Sequence, residues 1–382
     1  MLVVENGTVL RGASLRPERT NILIEDDIIA EITPDRIPGS NRIDASGLMV
    51  APALVNSHVH LGDSVAMDVG DGRPLEDIVR PPNGLKHQIL ESSPRWKLKV
   101  SMKDAMADMM AHGTGFFIDY REGGFSGIEL LTEVMADLPL KGMILGRDPA
   151  VFDPEASNAE VRRAVRRILQ VSDGFAPSGM GEITDEAARI IVDECERMGK
   201  VASIHVAEHP ESQRRSLEET GRTEVERALD AGFKLLVHLT NPVKDDLEIV
   251  RESGASVVLC PRSNGALSAG IPPVKRMHEM GINLLLGTDN VMFNSPDLLR
   301  EMEYTLKVTR GSTGEYFPPV EVLRMATVNA SGITGGGVIE EGFPADLMIT
   351  EKLSADPQLS IINRTESKNI IYLIIKGKLV KR

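Results

Sequence analysis

Two cysteines among 382 residues, Cys195 and Cys260, are too few and too widely spaced for a disulfide framework, and neither belongs to a Cys-x-x-Cys pair. A reducing cytoplasm is therefore the expected compartment. No apolar run approaches the ~20 residues of a membrane span. The amino-terminal stretch lacks a basic segment followed by a long apolar core, so no secretory leader is expected there. Long basic tracts are missing too, and the net charge is −13, which argues against nucleic acid or an anionic membrane as the main partner. The cluster Arg162, Arg163, Arg166 and Arg167 is the exception. It lies on a predicted helix beside Glu155 and Glu160 and reads as a solvated helix face. The Pro-Cys-x-x-Cys signature of base-flipping deaminases is absent as well.

What remains is a soluble chain with 42% apolar residues, long enough for a large α/β domain and a smaller one. Its beginning reads as short strands and turns: Leu2–Val4, a turn at Asn6-Gly7, Asn21–Glu25, Ile28–Ile32 and Arg42–Asp44, with Asp26-Asp27 as a hairpin signal. Its end has the same character, with Ala345–Thr350, Ile370–Ile375, Gly377 and Lys378–Val380. The two ends predict one small composite β-sandwich, residues 1–51 with 339–382. Between them, apolar strand-like runs alternate with helical patterns. Eight strands are predicted: Leu54–His60, Gly115–Asp119, Gly142–Leu145, a weak one near Gly174–Ala176, Val201–His205, Leu235–His238, Ser256–Leu259 and Leu284–Gly287. Helices are expected over Asp185–Met198, Lys244–Glu252, Pro273–Met280 and Pro296–Lys307, with Gly199, Gly254 and Gly281 where helices should stop. This order predicts an α/β fold, a closed (β/α)₈ TIM barrel over residues 52–338. An open doubly wound sheet would carry a glycine-rich phosphate turn after its first strand. Here that strand ends in histidines.

His58 and His60 are two apart on one strand, so both rings point to one face. His205, His238 and Asp289 each stand near the end of a later predicted strand. In a barrel those ends meet at one mouth, where active sites lie. Imidazoles and a carboxylate gathered there suit one divalent ion, Zn²⁺ or Fe²⁺, with a position left for water. Glu208, three residues past His205, stands near such an ion without needing to ligate it, as a proton shuttle requires.

The runs Leu54-Val55-Asn56-Ser57-His58-Val59-His60, Ser203-Ile204-His205-Val206-Ala207-Glu208, Val237-His238-Leu239-Thr240 and Gly287-Thr288-Asp289 resemble the amidohydrolase superfamily. Within it they look most like the mononuclear branch of cytosine, guanine and methylthioadenosine deaminases and chlorohydrolases. Cys260-Pro261-Arg262-Ser263-Asn264 with Gly270-Ile271-Pro272-Pro273-Val274, and Pro344-Ala345-Asp346-Leu347, extend the likeness over essentially the whole chain. The resemblance implies that His58, His60, His205 and Asp289 bind the metal. It also implies that Asp289 accepts a proton from the nucleophilic water, His238 orients the group under attack, and Glu208 shuttles the proton. The predicted fourth strand lacks the lysine that two-metal relatives carboxylate, and Lys141 lies at the wrong end of the third strand, so one metal is expected. Adenosine-type deaminases carry a histidine after strand four, where this chain has Ala176-Pro177-Ser178-Gly179.

The polar segment from Gly62 through Pro81-Pro82-Asn83 to His87 is expected to cover the pocket. Arg262, Asn264, Arg121 and Arg147 are candidate substrate contacts, with a salt-bridged loop as the alternative for the last two. The expected activity is hydrolytic deamination of a small aromatic heterocycle (nucleobase, nucleoside, pterin or triazine) by metal-bound hydroxide. Cyclic amide or imide hydrolysis and displacement of chloride are alternatives at the same site. A non-catalytic binding module would predict broken ligands, and all are intact. A homodimer is compatible with such an enzyme, though no segment marks an interface.

Overall fold

The computed structural model describes residues 1–39, 41–79 and 84–381. Eight parallel strands form the central sheet: Leu54–His60, Thr114–Tyr120, Lys141–Gly146, Gly174–Phe175, Val201–Val206, Leu235–His238, Ser256–Leu259 and Asn283–Leu286. They are called barrel strands one to eight below. Three match the sequence expectation residue for residue, and the others differ by one residue at one end or both. The eighth is broken. Its first part pairs with strand seven, while Asp289-Asn290 pairs with Val59-His60 and closes the ring. Asn56 clamps the break: its side chain donates to Thr288 Oγ1 (2.7 Å) and accepts from the Thr288 backbone N–H (3.0 Å).

Alternation along the strands sorts their side chains. Val55, Ile118, Leu145, Leu235, Val237, Val258 and Leu285 fill the barrel interior. Their neighbours Leu54, Phe117, Ile144, Leu236, Val257 and Leu284 pack outward against the helices. The helices Asp185–Arg197, Asp246–Ser253 and Val274–Glu279 end one or two residues before Gly199, Gly254 and Gly281, all with positive φ. Leu298–Thr313 runs farther than expected and ends at Gly314. Cys195 is buried on a helix. Arg162 and Arg166 lie along one helix and pair with the buried Glu194 of the next.

The chain ends share a second sheet. Its strand order is Lys378–Lys381, Ile370–Ile375, Leu347–Glu351, Leu48–Pro52, Leu2–Arg11, Arg16–Glu25, Ile28–Thr33, with Arg42–Asp44 pairing alongside Leu2–Arg11. It differs from expectation in two ways. The sandwich is one continuous eight-stranded sheet with its own apolar core, including Val4, Ile22, Ile24, Val50, Leu347 and Ile374. And Asn6-Gly7 is not a turn: the first strand runs unbroken for ten residues, with a register shift between Val4 and Gly7 and Asn6 at φ 63°. Leu48–Pro52 lies between the two chain ends and leads through Ala53 directly into barrel strand one. Among the described residues no helix is long and apolar enough to cross a membrane.

Candidate active site

The carboxyl ends of strands one, five, six and eight bring His58, His60, His205, His238 and Asp289 to one mouth. His58 Nε2 lies 3.3 Å from His205 Nε2 and 3.0 Å from Asp289 Oδ1, and His60 Nε2 is 3.5 Å from the same oxygen. A tetrahedral ion with bonds of about 2.0–2.1 Å holds its ligand atoms about 3.3–3.4 Å apart. The four atoms therefore have the spacing of a metal's donor set. For His60 and His205 the proton positions agree, while His58 Nδ1 is buried without a hydrogen-bond partner among the described residues. His60 Nδ1 faces the Tyr120 carbonyl (3.0 Å) and Glu122 Oε1 (2.8 Å), and His205 Nδ1 faces the Ser178 carbonyl (3.0 Å). These oxygens only accept, so each Nδ1 carries the proton and each Nε2 turns its lone pair to the common centre. Burial keeps all four rings neutral. It pushes His60 down to about 3, with help from Lys86, and holds His205 well below the usual imidazole range, with the other histidines contributing.

Strain marks the same spot. His238 and Asp289 have φ of 75° and 59°, and Ala207 and Leu239 are also left-handed. Such conformations cost of order 1–3 kcal/mol each and survive only where surrounding bonds enforce them. Here Ser263 Oγ donates to Asp289 Oδ2 (2.5 Å), and Asn264 Nδ2 lies 3.1 Å from His238 Nδ1. Glu208 Oε1 is 3.6 Å from His238 Nε2. Burial raises the Glu208 carboxyl well above its ordinary range, and the charges of Asp289, Glu224 and Glu182 add to the rise. A carboxyl so placed can hold a proton near neutrality and release it.

A cavity of about 110 Å³ opens over this centre, lined by His60, His205, Glu208, His238 and Asp289. Lys86, Arg147 and Asn290 also line it, as do Glu182 and Glu224. Its size is on the scale of the ~150 Å³ cavity known to take up benzene.

The four expected substrate contacts separate. Arg147 lines the cavity, with Nη2 on Glu122 Oε1 at 3.1 Å. The other three are engaged elsewhere. Arg121 is buried against Glu122 (2.9 Å) and Asp119 (3.7 Å), which is the salt-bridged loop of the alternative reading. Arg262 turns to the Ser295 carbonyl (3.2 Å) and faces Glu301, away from the pocket. Asn264 supports His238. Lys141 pairs with Asp346 at the opposite end of the barrel, as expected.

Lys86 and Asp63 lie in the segment expected to cover the pocket and Glu122 in the loop of Arg121, but sequence reasoning gave none of the three a role of its own. Lys86 Nζ lies 2.7 Å from Glu122 Oε1, 3.2 Å from Asp63 Oδ2 and 3.0 Å from Asn290 Oδ1, and all four residues are buried. Burial alone would lower the Lys86 pKa, but Glu122 and Asp63 outweigh it and the ammonium is held above its usual value. Burial likewise pushes against the charge on Glu122, yet Lys86, His60 and Arg147 keep that carboxyl well below its range. The segment expected to cover the pocket is not irregular throughout. It contains a short helical turn at Leu61–Ala66 and helices at Leu75–Val79 and Leu85–Ser92, while Pro81, Pro82 and Asn83 lie outside the described residues.

Residues 49–380 match the amidohydrolase family. The chain belongs to that family. Along its whole length this amidohydrolase is 77% identical to a putative aminohydrolase of Methanothermobacter thermautotrophicus, covering all of both chains over 382 residues. It is 28% identical to a 5-methylthioadenosine/S-adenosylhomocysteine deaminase of Thermococcus onnurineus, over 97% of this chain and 89% of that one. Its fold matches the zinc complex of atrazine chlorohydrolase from Arthrobacter aurescens TC1 with a TM-score of 0.86 at 18% identity, over all of this chain and 95% of the other. The barrel and the appended sheet of this amidohydrolase thus follow the family plan.

Proposed function

We propose that this amidohydrolase is a metal-dependent aminohydrolase that releases ammonia from a small aromatic heterocycle. The observation that carries the reading is the donor set itself: three imidazole nitrogens and one carboxylate oxygen at metal-ligand spacing, with the Glu208 carboxyl beside them. His58, His60, His205 and Asp289 would hold one divalent ion, Zn²⁺ or Fe²⁺. Such an ion supplies a water whose pKa falls towards ~7. Asp289 accepts the proton of the attacking water, its other oxygen held by Ser263 Oγ. His238 steers the group under attack, with Asn264 fixing its ring. Glu208 carries the proton to the departing nitrogen. Arg147 touches substrate, while Arg121, Arg262 and Asn264 position other groups. The small cavity favours a single heterocycle.

The test is ammonia release from bases, nucleosides, pterins and triazines by protein loaded separately with Zn²⁺ or Fe²⁺. One ligand class should respond. Glu208→Gln should lose ~10²–10⁴-fold in rate with its metal content intact. Silence on every amine, with hydrolysis of a cyclic amide or release of chloride instead, would replace the deaminase reading.

A further inference from the structure

Asn290 directly follows Asp289, and its backbone pairs with His60. Its side chain is 4% exposed and lines the cavity over the metal-binding residues. Lys86 Nζ donates to its Oδ1 at 3.0 Å. An ammonium can only donate, so this contact decides which end of the carboxamide faces the lysine and which faces away. Lys86 is itself held by Glu122 and Asp63, so the amide has no freedom to reverse. Its Nδ2 is left without a partner among the described residues. The atom is not sealed off in the core but opens onto the cavity, where a ligand can accept from it in place of water.

The surroundings indicate the complementary atom. Beside Asn290 the cations Lys86 and Arg147 line the cavity, joined through Glu122 Oε1, and a third cation, Arg215, lines it as well. Glu182, Glu208 and Glu224 also line the cavity, and Glu208 is the group that handles the departing amine. An exocyclic oxygen, with its partial negative charge, fits the first set, and the amine fits the second. We propose that Asn290 is a specificity-determining residue, locked by Lys86 so that its Nδ2 donates to an oxo group on the substrate ring. This deepens the aminohydrolase reading and rests on it for the identity of the ring. The substrate class becomes aminoheterocycles that carry a ring carbonyl.

The experiment uses matched pairs differing by that oxygen: cytosine and 4-aminopyrimidine, guanine and 2-aminopurine, pterin and 2-aminopteridine. Binding to the Zn²⁺-loaded protein is measured by calorimetry, and ammonia release is followed in parallel. In at least one pair the oxo member should bind tenfold or more tightly. Asn290→Leu, close in volume but with no amide, should erase that preference. It should weaken the oxo ligand about tenfold, change the oxygen-free ligand less than threefold, and leave metal content unaltered. The loss should appear in KM more than in kcat. No preference in any pair for the unaltered protein overturns the inference, whatever the variant does. An equal loss for both members of a pair, or loss of metal, also overturns it. Oxo preference that Asn290→Leu erases, in a protein that releases no ammonia, would sink the aminohydrolase reading alone.

Discussion

Glu122→Gln puts the buried charge network to a direct test. The Glu122 carboxylate lies within 3.1 Å of Lys86, Arg147, Arg121 and the His60 Nδ1–H, and the residue is 4% exposed. Around it stand three cations, Lys86, Arg121 and Arg147, and two further carboxyls, Asp63 and Asp119. Removing one partner from a buried set of this kind costs about 3–5 kcal/mol, because the charges left behind are desolvated and unmatched. At about 2.1 cal/mol/K per residue, that loss lowers the melting temperature by about 4–6 °C. Glutamine keeps the carbonyl that His60 Nδ1 bonds but not its charge, so the ring becomes a poorer ligand, and metal affinity should fall about 10–100-fold. Urea denaturation with and without metal, and competition with a chelator, read the two effects separately. Adding Lys86→Met should recover about 1–3 kcal/mol, since the pair then leaves together. The pH dependence has a definite sign. The Glu122 carboxyl is held below its unfolded value, so its contribution is full at neutral pH and disappears as the pH falls through the depressed value. The difference between wild type and Glu122→Gln should therefore shrink in acid. Unchanged stability together with unchanged metal affinity at pH 7 would refute the network as described.

Two further outcomes follow from single positions. A Cβ on Gly287 would stand 2.6 Å from His58 Cβ and 2.8 Å from the His58 backbone nitrogen and oxygen, so Gly287→Ala should displace a ligand strand and lower metal content, read by elemental analysis of the purified protein. Glu301 is fully buried with one oxygen that accepts no hydrogen bond, and burial pushes its carboxyl up to about 8, against the opposing pull of Arg262. Folding then binds its proton more tightly than the unfolded chain does, so wild-type stability should decline between about pH 4.5 and 8. Glu301→Gln should remove that share of the decline, and parallel urea midpoints across the range would contradict the argument.

The barrel was legible because its strands are short apolar runs bounded by helix patterns, and the ring of ligands because each stands at a strand end. The composite β-domain was legible in outline, though a bulge at Asn6-Gly7 looks like a turn when hydrogen bonding to Arg16–Glu25 is unseen. The split of strand eight was hidden for the same reason, since it depends on pairing with a strand more than two hundred residues away. Lys86 stood in a polar stretch where a lysine reads as solvent-facing. Only contacts to Asp63, Glu122 and Asn290, from three other parts of the chain, show that it is buried. Arg262 and Asn264 stood in the right strand-end motif, but a motif does not reveal which way a side chain turns. Arg262 found acceptors around Ser295, and Asn264 found His238.

The strand Leu48–Pro52, one residue ahead of the strand that carries His58 and His60, is gripped on one side by Leu2–Arg11 and on the other by Leu347–Glu351. During synthesis the first two ligands leave the ribosome early, but the last of those flanking strands emerges long afterwards, later even than Asp289. Until Leu347–Glu351 has been made, Leu48–Pro52 has a sheet neighbour on one side only, Leu2–Arg11. The sheet that steadies the two histidines is thus completed only after every residue of the donor set, Asp289 included, has been made.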